Sequence, residues 1–275
     1  MFRPSRFAPA GTQLFVQHHG NMHMDGRRMA GVPSYFQSAS QRSPKDMWVP
    51  LPCLTFLVKH QAGVFLFDLG CCKDWKTSWW PTGIGEMVPY DDWTPEQEFE
   101  TTLRRNGLSV SDIDVVVLSH LHMDHCGNLE LFDRTRAKII IQQAELDEAM
   151  RIDAPGRGGY VTSQYRDFHL NWQAIEGDKD LVAGIDLLFL PGHSPGSQGM
   201  AVNLAESGLL VLASDAAQVA ANLDGHCSPN VYDSIRWRQS IEQLKRLRTE
   251  HDAFIICGHE HSQLANLKLS PEFYK

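Results

Sequence analysis

Residues 119–128 of this 275-residue chain contain a dense group of side chains that can bind metal ions. Three imidazoles and one carboxylate fall within six positions, at His120, His122, Asp124 and His125. Neutral imidazoles and carboxylates are ligands that suit Zn²⁺ and related divalent ions. On a turn after a buried strand, two of these side chains can point to one side and two to the other. Two metal ions could then be held side by side, and metal-assisted hydrolysis is the chemistry that such a site supports.

The pattern His-x-His-x-Asp-His after an apolar strand resembles the signature of the metallo-β-lactamase superfamily. The resemblance implies an α/β fold, the αββα sandwich, with further ligands at the ends of other strands. Three later apolar runs, at residues 186–190, 208–213 and 253–257, each lead into a turn-forming residue and a candidate ligand. Such runs are typical of buried strands. The ligands that follow them are His193, Asp215 and His259.

The resemblance also implies how the ligands divide between two Zn²⁺ ions, with other divalent transition metals as alternatives. The first ion would be held by His120, His122 and His193, the second by Asp124, His125 and His259, and Asp215 would bridge the two. Each ion would keep an open position, as a catalytic site requires. In the iron-dependent redox members of the superfamily the second ligand position is usually acidic. Here that position is His122, which favours hydrolysis on zinc.

Within the superfamily, three motifs resemble the N-acyl homoserine lactonases and related lactone hydrolases. They lie at residues 120–127, 191–196 and 258–274, and the resemblance covers roughly residues 50–275. One position departs from that family, which has a tyrosine three residues after the bridging aspartate. This chain has Gln218 there, and an amide can donate a hydrogen bond but cannot act as a phenolic acid. Either Gln218 replaces the tyrosine, another loop residue such as Tyr160 does so, or the substrate differs.

The resemblance implies hydrolysis of a lactone, most simply an N-acyl homoserine lactone, and hence a role in quorum quenching. Asp124 would bind the second ion and pass a proton to the ring oxygen that leaves. A second interpretation is zinc-dependent hydrolysis of another ester, thioester, sulfate or phosphate ester. A third is a ligand sensor that keeps the fold without catalysis. Such a sensor would be expected to lack ligands, whereas all seven are present in this chain.

Composition limits the remaining classes of function. The net charge of −8 argues against nucleic acid as a partner, because phosphate binding needs a basic surface. No apolar run approaches the ~20 residues of a membrane span, and the N-terminus has no signal-peptide core. The six cysteines form no disulfide pattern, so reduced thiols and a cytoplasmic location are expected. The expected partner is a small lactone or ester, and the sequence also allows a homodimer.

The chain is predicted to form one domain, residues 1–275, with loop-rich segments 18–50, 71–93 and 154–172 around the site. The first of these segments is rich in histidine and methionine, so a second metal site is one interpretation. The alternative is a loop that covers the mouth of the site or forms a subunit contact. The second contains five aromatic residues that either line an apolar pocket or pack onto the core. These are Trp75, Trp79, Trp80, Tyr90 and Trp93.

Two helices have clear sequence signals. A capping box at residues 94–97 predicts a helix that ends near Gly107. A longer amphipathic helix is predicted over residues 233–250, with Ile235, Ile241 and Leu244 on its buried face. Its basic residues are interpreted as a solvated face.

Overall fold

Eleven β-strands form two sheets in the part of the chain that the computed structural model describes, namely residues 7–29, 48–79, 82–154 and 156–275. The strands are β1 (Gln13–Asp25), β2 (Trp48–His60), β3 (Gly63–Phe67), β4 (Val115–Val117), β5 (Lys138–Gln142), β6 (Asn171–Ile175), β7 (Lys179–Val182), β8 (Ile185–Phe189), β9 (Gln198–Leu204), β10 (Gly208–Ser214) and β11 (Phe254–Cys257).

The first sheet has the strand order β1-β2-β3-β4-β5-β6. Strands β1, β2 and β3 pair antiparallel, whereas β3, β4, β5 and β6 pair in parallel. The central strands β4 and β5 contain runs of three valines and three isoleucines, which suits strands that are covered on both faces. Because β3 and β4 are parallel, the residues that follow them meet at one edge of the sheet.

The second sheet has the order β11-β10-β9-β8-β7. Neighbouring strands from β7 to β10 are antiparallel, and β11 runs parallel to β10. Strands β8, β10 and β11 therefore point in the same direction. The loops that follow these three strands carry His193, Asp215 and His259, so the topology brings the three residues to one edge.

Six α-helices accompany the strands in the described ranges. They are α1 (Trp75–Ser78), α2 (Ile84–Met87), α3 (Phe99–Arg105), α4 (Gln143–Arg151), α5 (Ala220–Leu223) and α6 (Ser234–Glu250). None of them is long and apolar enough to cross a membrane.

The two sheets pack face to face, and helices cover their outer faces. Phe67 and Val117 of the first sheet share a buried cluster with Leu187 and Leu212 of the second. Residues of α3 pack on the other face of the first sheet, and residues of α6 pack on the other face of the second. This arrangement of layers confirms the predicted αββα sandwich.

The first predicted loop is partly strand. Residues 18–25 continue β1, and residues 48–50 begin β2, so that Asp25 pairs with Trp48. Most side chains on both faces of this stretch are buried. The two-residue alternation that would reveal a strand is therefore absent from the sequence. Residues 30–47 of the predicted loop lie outside the described residues.

The helix predicted after Thr94 is divided. Residues Pro95–Gln97 form a 3-10 turn with the expected bond from Thr94 N to Gln97 Oε1, and α3 begins only at Phe99. The ring of buried His19 contacts the carbonyl oxygen of Gln97 at 2.8 Å. This bond uses an oxygen that a continuous helix would need for its own backbone bonding.

The long C-terminal helix α6 has nearly the predicted bounds, and Asp233 caps its N-terminus. Its buried face differs from the prediction at one position. Ile235 is 70% exposed, and Trp237 occupies the buried face instead, together with Ile241 and Leu244. Trp237 lies four residues before Ile241, the spacing that places two residues on one helical face, whereas Ile235 lies six residues before it.

Candidate metal centre and substrate pocket

A buried carboxylate fixes the start of the ligand turn. Asp68 follows β3, and its backbone adopts a φ of 60°, which is uncommon for a residue other than glycine. Its Oδ1 accepts a bond from Ser119 N at 2.7 Å, and its Oδ2 accepts one from Ser119 Oγ at 2.8 Å. The ends of β3 and β4 are thereby joined directly before the first histidine.

Three imidazoles, those of His120, His122 and His193, form the histidine cluster. His122 Nδ1 lies 3.0 Å from His120 Nε2 and 3.0 Å from His193 Nε2. Zn–N bonds of about 2.0 Å in a tetrahedron would place neighbouring nitrogens about 3.3 Å apart. The spacing of the three nitrogens is close to that value, so a metal ion is a fitting common partner for them.

Asp124, His125 and His259 form the mixed cluster. The Nε2 atom of His259 lies 3.3 Å from Asp124 Oδ2, and that of His125 lies 3.5 Å from the same oxygen. All three residues are at least nine-tenths buried. A carboxylate and two imidazoles make a borderline-hard ligand set that suits divalent transition ions.

Asp215 lies between the two clusters. Its Oδ2 is 3.2 Å from His193 Nε2, whereas its Oδ1 is 3.1 Å from His259 Nε2 and 3.3 Å from His125 Nε2. One oxygen therefore faces each cluster. The close approach of the loop after β11 needs Gly258, because a Cβ there would meet Asp215 Oδ1 at 2.7 Å.

Hydrogen bonds on the far side of two rings orient their Nε2 atoms towards the centre. His259 Nδ1 lies 3.0 Å from the carbonyl oxygen of Pro52, to which it donates, and His125 Nδ1 lies 2.8 Å from Asp68 Oδ2. Outer partners of this kind fix the tautomer and the ring orientation of histidine ligands. Asp68 thus supports the centre from behind one of its candidate ligands.

The pKa shifts differ between the two clusters: the imidazoles of the histidine cluster stay neutral, whereas carboxylates favour positive charge in the mixed cluster. Burial lowers the pKa of His122 to about 3, and neighbouring His193 acts in the same direction. Burial also disfavours the charge of His259, but Asp215 and Asp124 raise its pKa well above the usual value. Burial would raise the pKa of Asp215, yet the surrounding imidazoles, with His259 first among them, lower it well below the usual range.

The donor atoms fit a bound metal. His125 Nε2 and Asp215 Oδ1 are buried and make no hydrogen bond within the described residues. Buried polar atoms without a partner are rare and call for an explanation, and an ion is one such explanation. Among the described residues, three groups of candidate ligands have their ligand atoms within 4.8 Å of one another. They are His120, His122 and His193; His120, His125 and Asp215; and Asp124, His125 and His259.

A pocket of about 280 Å³ opens onto the centre. His122, Asp124, His193, Asp215, Gln218 and His259 lie at its polar end. Its other walls are mainly aliphatic and sulfur-containing, with Met22, Leu51, Ile84, Met87 and Val88 among them. The combination of apolar walls with a few convergent polar groups is typical of a small-molecule site.

The aromatic residues of segment 71–93 whose placement is described do not line this pocket. Trp75, Trp79 and Tyr90 are buried in a cluster that also contains Met22, Leu51 and Ile84 of the pocket walls, so they pack behind those walls and hold the segment on the core. Of the two alternatives, the packing role is therefore the one that the structure supports for these three residues. Trp80 lies outside the described residues.

The histidines of β1 do not gather around an ion. His19 contacts Thr55 Oγ1 at 2.8 Å, and His23 pairs with Asp91 at 2.8 Å. Neither belongs to any group of potential metal ligands among residues whose placement is described. The second metal site considered from the composition of segment 18–50 is thus not formed by these side chains.

The hydroxyl of Tyr160 is buried and bonded to a carboxylate, which argues against the suggestion that it replaces the family tyrosine. Its side chain is 4% exposed, and its hydroxyl donates to Glu145 Oε1 at 2.8 Å. Its ring packs edge-on against His122, with centroids 4.7 Å apart. Tyr160 therefore supports a candidate ligand from behind, because burial has committed its hydroxyl to a carboxylate.

Gln218 lines the pocket, as its position after Asp215 predicts, but its amide is already engaged. Gln218 Nε2 donates to Asp215 Oδ2 at 2.8 Å. The backbone carbonyl oxygen of Gln218 accepts a bond from His259 N at 2.7 Å. The residue thus contacts two candidate ligands. One N–H of the amide remains for a further acceptor.

Sequence reasoning missed Glu145. This fully buried residue of α4 binds the loops that carry the histidine cluster. One carboxylate in the first turn of a helix is ordinary, so its place in that turn gives no sign of this role. A glutamate on the buried side of the helix was the one available signal.

Comparison with known proteins gives the class that this fold and centre define. The family model of the metallo-beta-lactamase superfamily matches residues 48–259, a span that includes all seven candidate ligands. The chain therefore belongs to the metallo-beta-lactamase superfamily. The superfamily predicted from the ligand motif is thus confirmed.

Within the superfamily the chain is similar to N-acyl homoserine lactonases. It is 32% identical to one from Bacillus cereus over 81% of this chain and 87% of that protein. It is 30% identical to the lactonase AttM from Agrobacterium fabrum, over 86% of this chain and 91% of that protein. A solved structure of an N-acyl homoserine lactone hydrolase, with N-hexanoyl-L-homoserine bound at the catalytic metal centre, has a TM-score of 0.82, 25% identity, and coverage of 99% and 100%. These likenesses confirm the resemblance to lactonases.

Proposed function

We propose that this chain hydrolyses lactones at a centre of two metal ions and that its substrates are N-acyl homoserine lactones, so that it acts in quorum quenching. The observation that carries the proposal is the placement of Asp215. One of its oxygens faces the histidine cluster and the other faces the mixed cluster. The similarity to lactonases, one with a ring-opened product at its metal centre, supports the choice of substrate.

The histidine cluster would hold one ion, the mixed cluster the other, and Asp215 would contact both. Zinc fits the donor set, and other divalent transition ions are compatible with it. Bound ions would supply polarisation of the lactone carbonyl and a lowered pKa of water, which makes water a nucleophile near neutral pH. The chain itself would orient the substrate, exclude bulk water and move protons.

Asp124 is the residue that we propose for proton transfer to the ring oxygen. It lines the pocket and is 8% exposed. Burial alone would raise its pKa, but His125 and His259 lower the pKa below the usual value. The side chain is therefore a carboxylate at neutral pH, able to accept a proton from the attacking water and to pass it to the leaving oxygen.

The apolar part of the pocket would hold the acyl chain. Methionine side chains adapt their shape to a flexible partner, and Met22, Met24, Met87 and Met123 all contribute to the walls. An acyl chain would thus contact methionines and aliphatic residues rather than Trp75, Trp79 or Tyr90, for which a place in the pocket was one of two alternatives.

Six unpaired thiols favour a reducing compartment, so we propose a cytoplasmic location. The homodimer that the sequence allows stays a prediction.

Replacement of Gln218 tests the role of the amide. If its free N–H contacts the substrate carbonyl, Gln218→Ala removes one hydrogen bond to a polarised oxygen. We then expect kcat/KM for lactone opening to fall by about 10- to 100-fold. Gln218→Tyr, which restores the residue of the lactonase pattern, should retain lactone activity. Exposed Gln239 on α6 provides the matched control Gln239→Ala.

A change below about threefold in Gln218→Ala would mean that the amide only lines the pocket. A larger loss that is accompanied by weaker zinc binding would assign the effect to the bond with Asp215 Oδ2 instead. Kinetics and zinc affinity are therefore measured on the same preparations.

A panel of substrates tests the proposed function as a whole. Ring opening of N-acyl homoserine lactones with short and long acyl chains is followed by proton release and compared with hydrolysis of open-chain carboxylic, thio-, sulfate and phosphate esters. We expect the highest kcat/KM for the lactones. A preference for any open-chain ester over every lactone would replace the lactonase proposal with the broader hydrolase.

A further inference from the structure

We infer that Glu145 is a positioning residue that sets the spacing of the histidine cluster without touching the substrate. The inference rests on the proposed two-metal function and identifies what holds two of its ligand loops together. Glu145 lies in the first turn of α4, is 0% exposed and is absent from the pocket walls. A buried carboxylate is costly unless hydrogen bonds compensate it, so its partners indicate its role.

The Oε1 atom of Glu145 binds the loop of the first two histidines. It accepts a bond from Leu121 N, which lies between His120 and His122 in sequence, at 3.0 Å. It also accepts the bond from the hydroxyl of Tyr160, whose ring packs against His122. One oxygen thus fixes the backbone of this loop and a side chain that supports one of its imidazoles.

The Oε2 atom binds the loop of the third histidine. It accepts bonds from Gly196 N at 3.0 Å and from Ser194 Oγ at 2.6 Å. Ser194 directly follows His193. The two oxygens of one side chain therefore connect the two loops whose imidazole nitrogens must converge.

The second loop is also held in contact with the backbone of α4. A Cβ at Gly196 would meet Glu145 N at 2.4 Å and Glu145 Cβ at 2.5 Å, closer than real Cβ contacts. Only glycine allows this approach. Gly196→Ala would therefore displace the same loop by a steric route and leave the carboxylate itself unchanged.

The arrangement requires a carboxylate rather than an amide. Each oxygen of Glu145 accepts one backbone N–H and one hydroxyl. A hydroxyl can rotate to become an acceptor, but a backbone N–H cannot. Glu145→Gln places an NH₂ group opposite either Leu121 N or Gly196 N, whichever way the amide turns. One of the two loops must then move.

The test measures zinc binding to metal-free protein by calorimetry, without substrate. A parallel titration with Co²⁺ in place of zinc is monitored by visible absorption. Wild type is expected to bind two ions. In Glu145→Gln we expect the affinity of one site to fall by about 10- to 100-fold, with an altered cobalt spectrum, while the other site keeps its affinity. Gly196→Ala should give the same pattern, and Tyr160→Phe a weaker form of it.

Asp147→Asn on the same helix is the matched control, because Asp147 is exposed and its Oδ1 accepts a bond from Gln143 of α4 itself. A lowered melting temperature with both affinities unchanged in Glu145→Gln and Gly196→Ala would reduce Glu145 to a purely structural residue and overturn the inference. The comparison of metal affinities uses no substrate, so it is independent of the proposed function. If the wild-type protein binds two ions but opens no lactone, only the proposed function is contradicted.

Discussion

Asp215→Ala is expected to lower kcat/KM for lactone opening by about 10³-fold, which corresponds to roughly 4 kcal/mol of transition-state stabilisation. Asp215 directs one oxygen towards each cluster, and it is 4% exposed. Its removal takes a ligand from both proposed ions and a negative charge from between them. Metal content should fall together with activity, which elemental analysis and steady-state kinetics on the same preparation would show.

The control for this variant is Asp224→Ala, which removes an exposed carboxylate from the loop after α5. Asp215→Asn adds an intermediate case, because the amide keeps one oxygen for one cluster. Retention of two ions and of kcat/KM within about threefold in Asp215→Ala would show that Asp215 does not bridge the ions.

Asp124→Asn is expected to lower kcat by about 10²- to 10³-fold with a much smaller change in KM. General acid–base catalysis contributes on this scale, and an amide cannot accept and return the proton. The loss should appear in kcat because proton transfer to the ring oxygen belongs to the transition state rather than to substrate binding. The amide keeps one oxygen that can face His259, so the variant is expected to retain much of its metal.

Metal content decides how this variant is interpreted. If Asp124→Asn retains its metal and kcat is unchanged, Asp124 is a ligand only and the proton moves by another route. If the metal is lost, activity is measured again at saturating zinc, where the proton role still predicts a low kcat.

The convergence of the candidate ligands could be predicted from the sequence because each one follows an apolar run. His120, His193, Asp215 and His259 come after β4, β8, β10 and β11, and parallel or similarly directed strands bring such residues to one edge. This part of the prediction needed only local patterns and the rule that functional residues lie at strand ends.

The strands that escaped prediction have weaker local patterns. The second half of β1 is buried on both faces and contains glycine, asparagine and histidines, so it has neither alternation nor a purely apolar run. Edge strand β7 has four residues and begins with exposed Lys179 and Asp180, as short protected edges often do. Their strand character comes from pairing with distant segments.

The residues that support the metal ligands could not be predicted from the sequence for a related reason. Glu145, Tyr160 and Ser194 are ordinary residues in their local sequence, and their role appears only when three separated segments meet. Gln218 was identified by its position after Asp215, but its bond to that carboxylate depends on the turn that follows β10. Hydrogen-bond partners across such distances are not encoded in spacing or periodicity.

The central claim is a two-ion centre that opens lactones, and stepwise zinc addition to metal-free protein tests it most directly. Bound zinc and the initial rate of ring opening of N-hexanoyl homoserine lactone are measured at each step. We predict that binding continues to about two ions per chain and that activity rises fully only as the second ion binds. Full activity with one ion per chain, and no binding of a second at saturating zinc, would contradict the account.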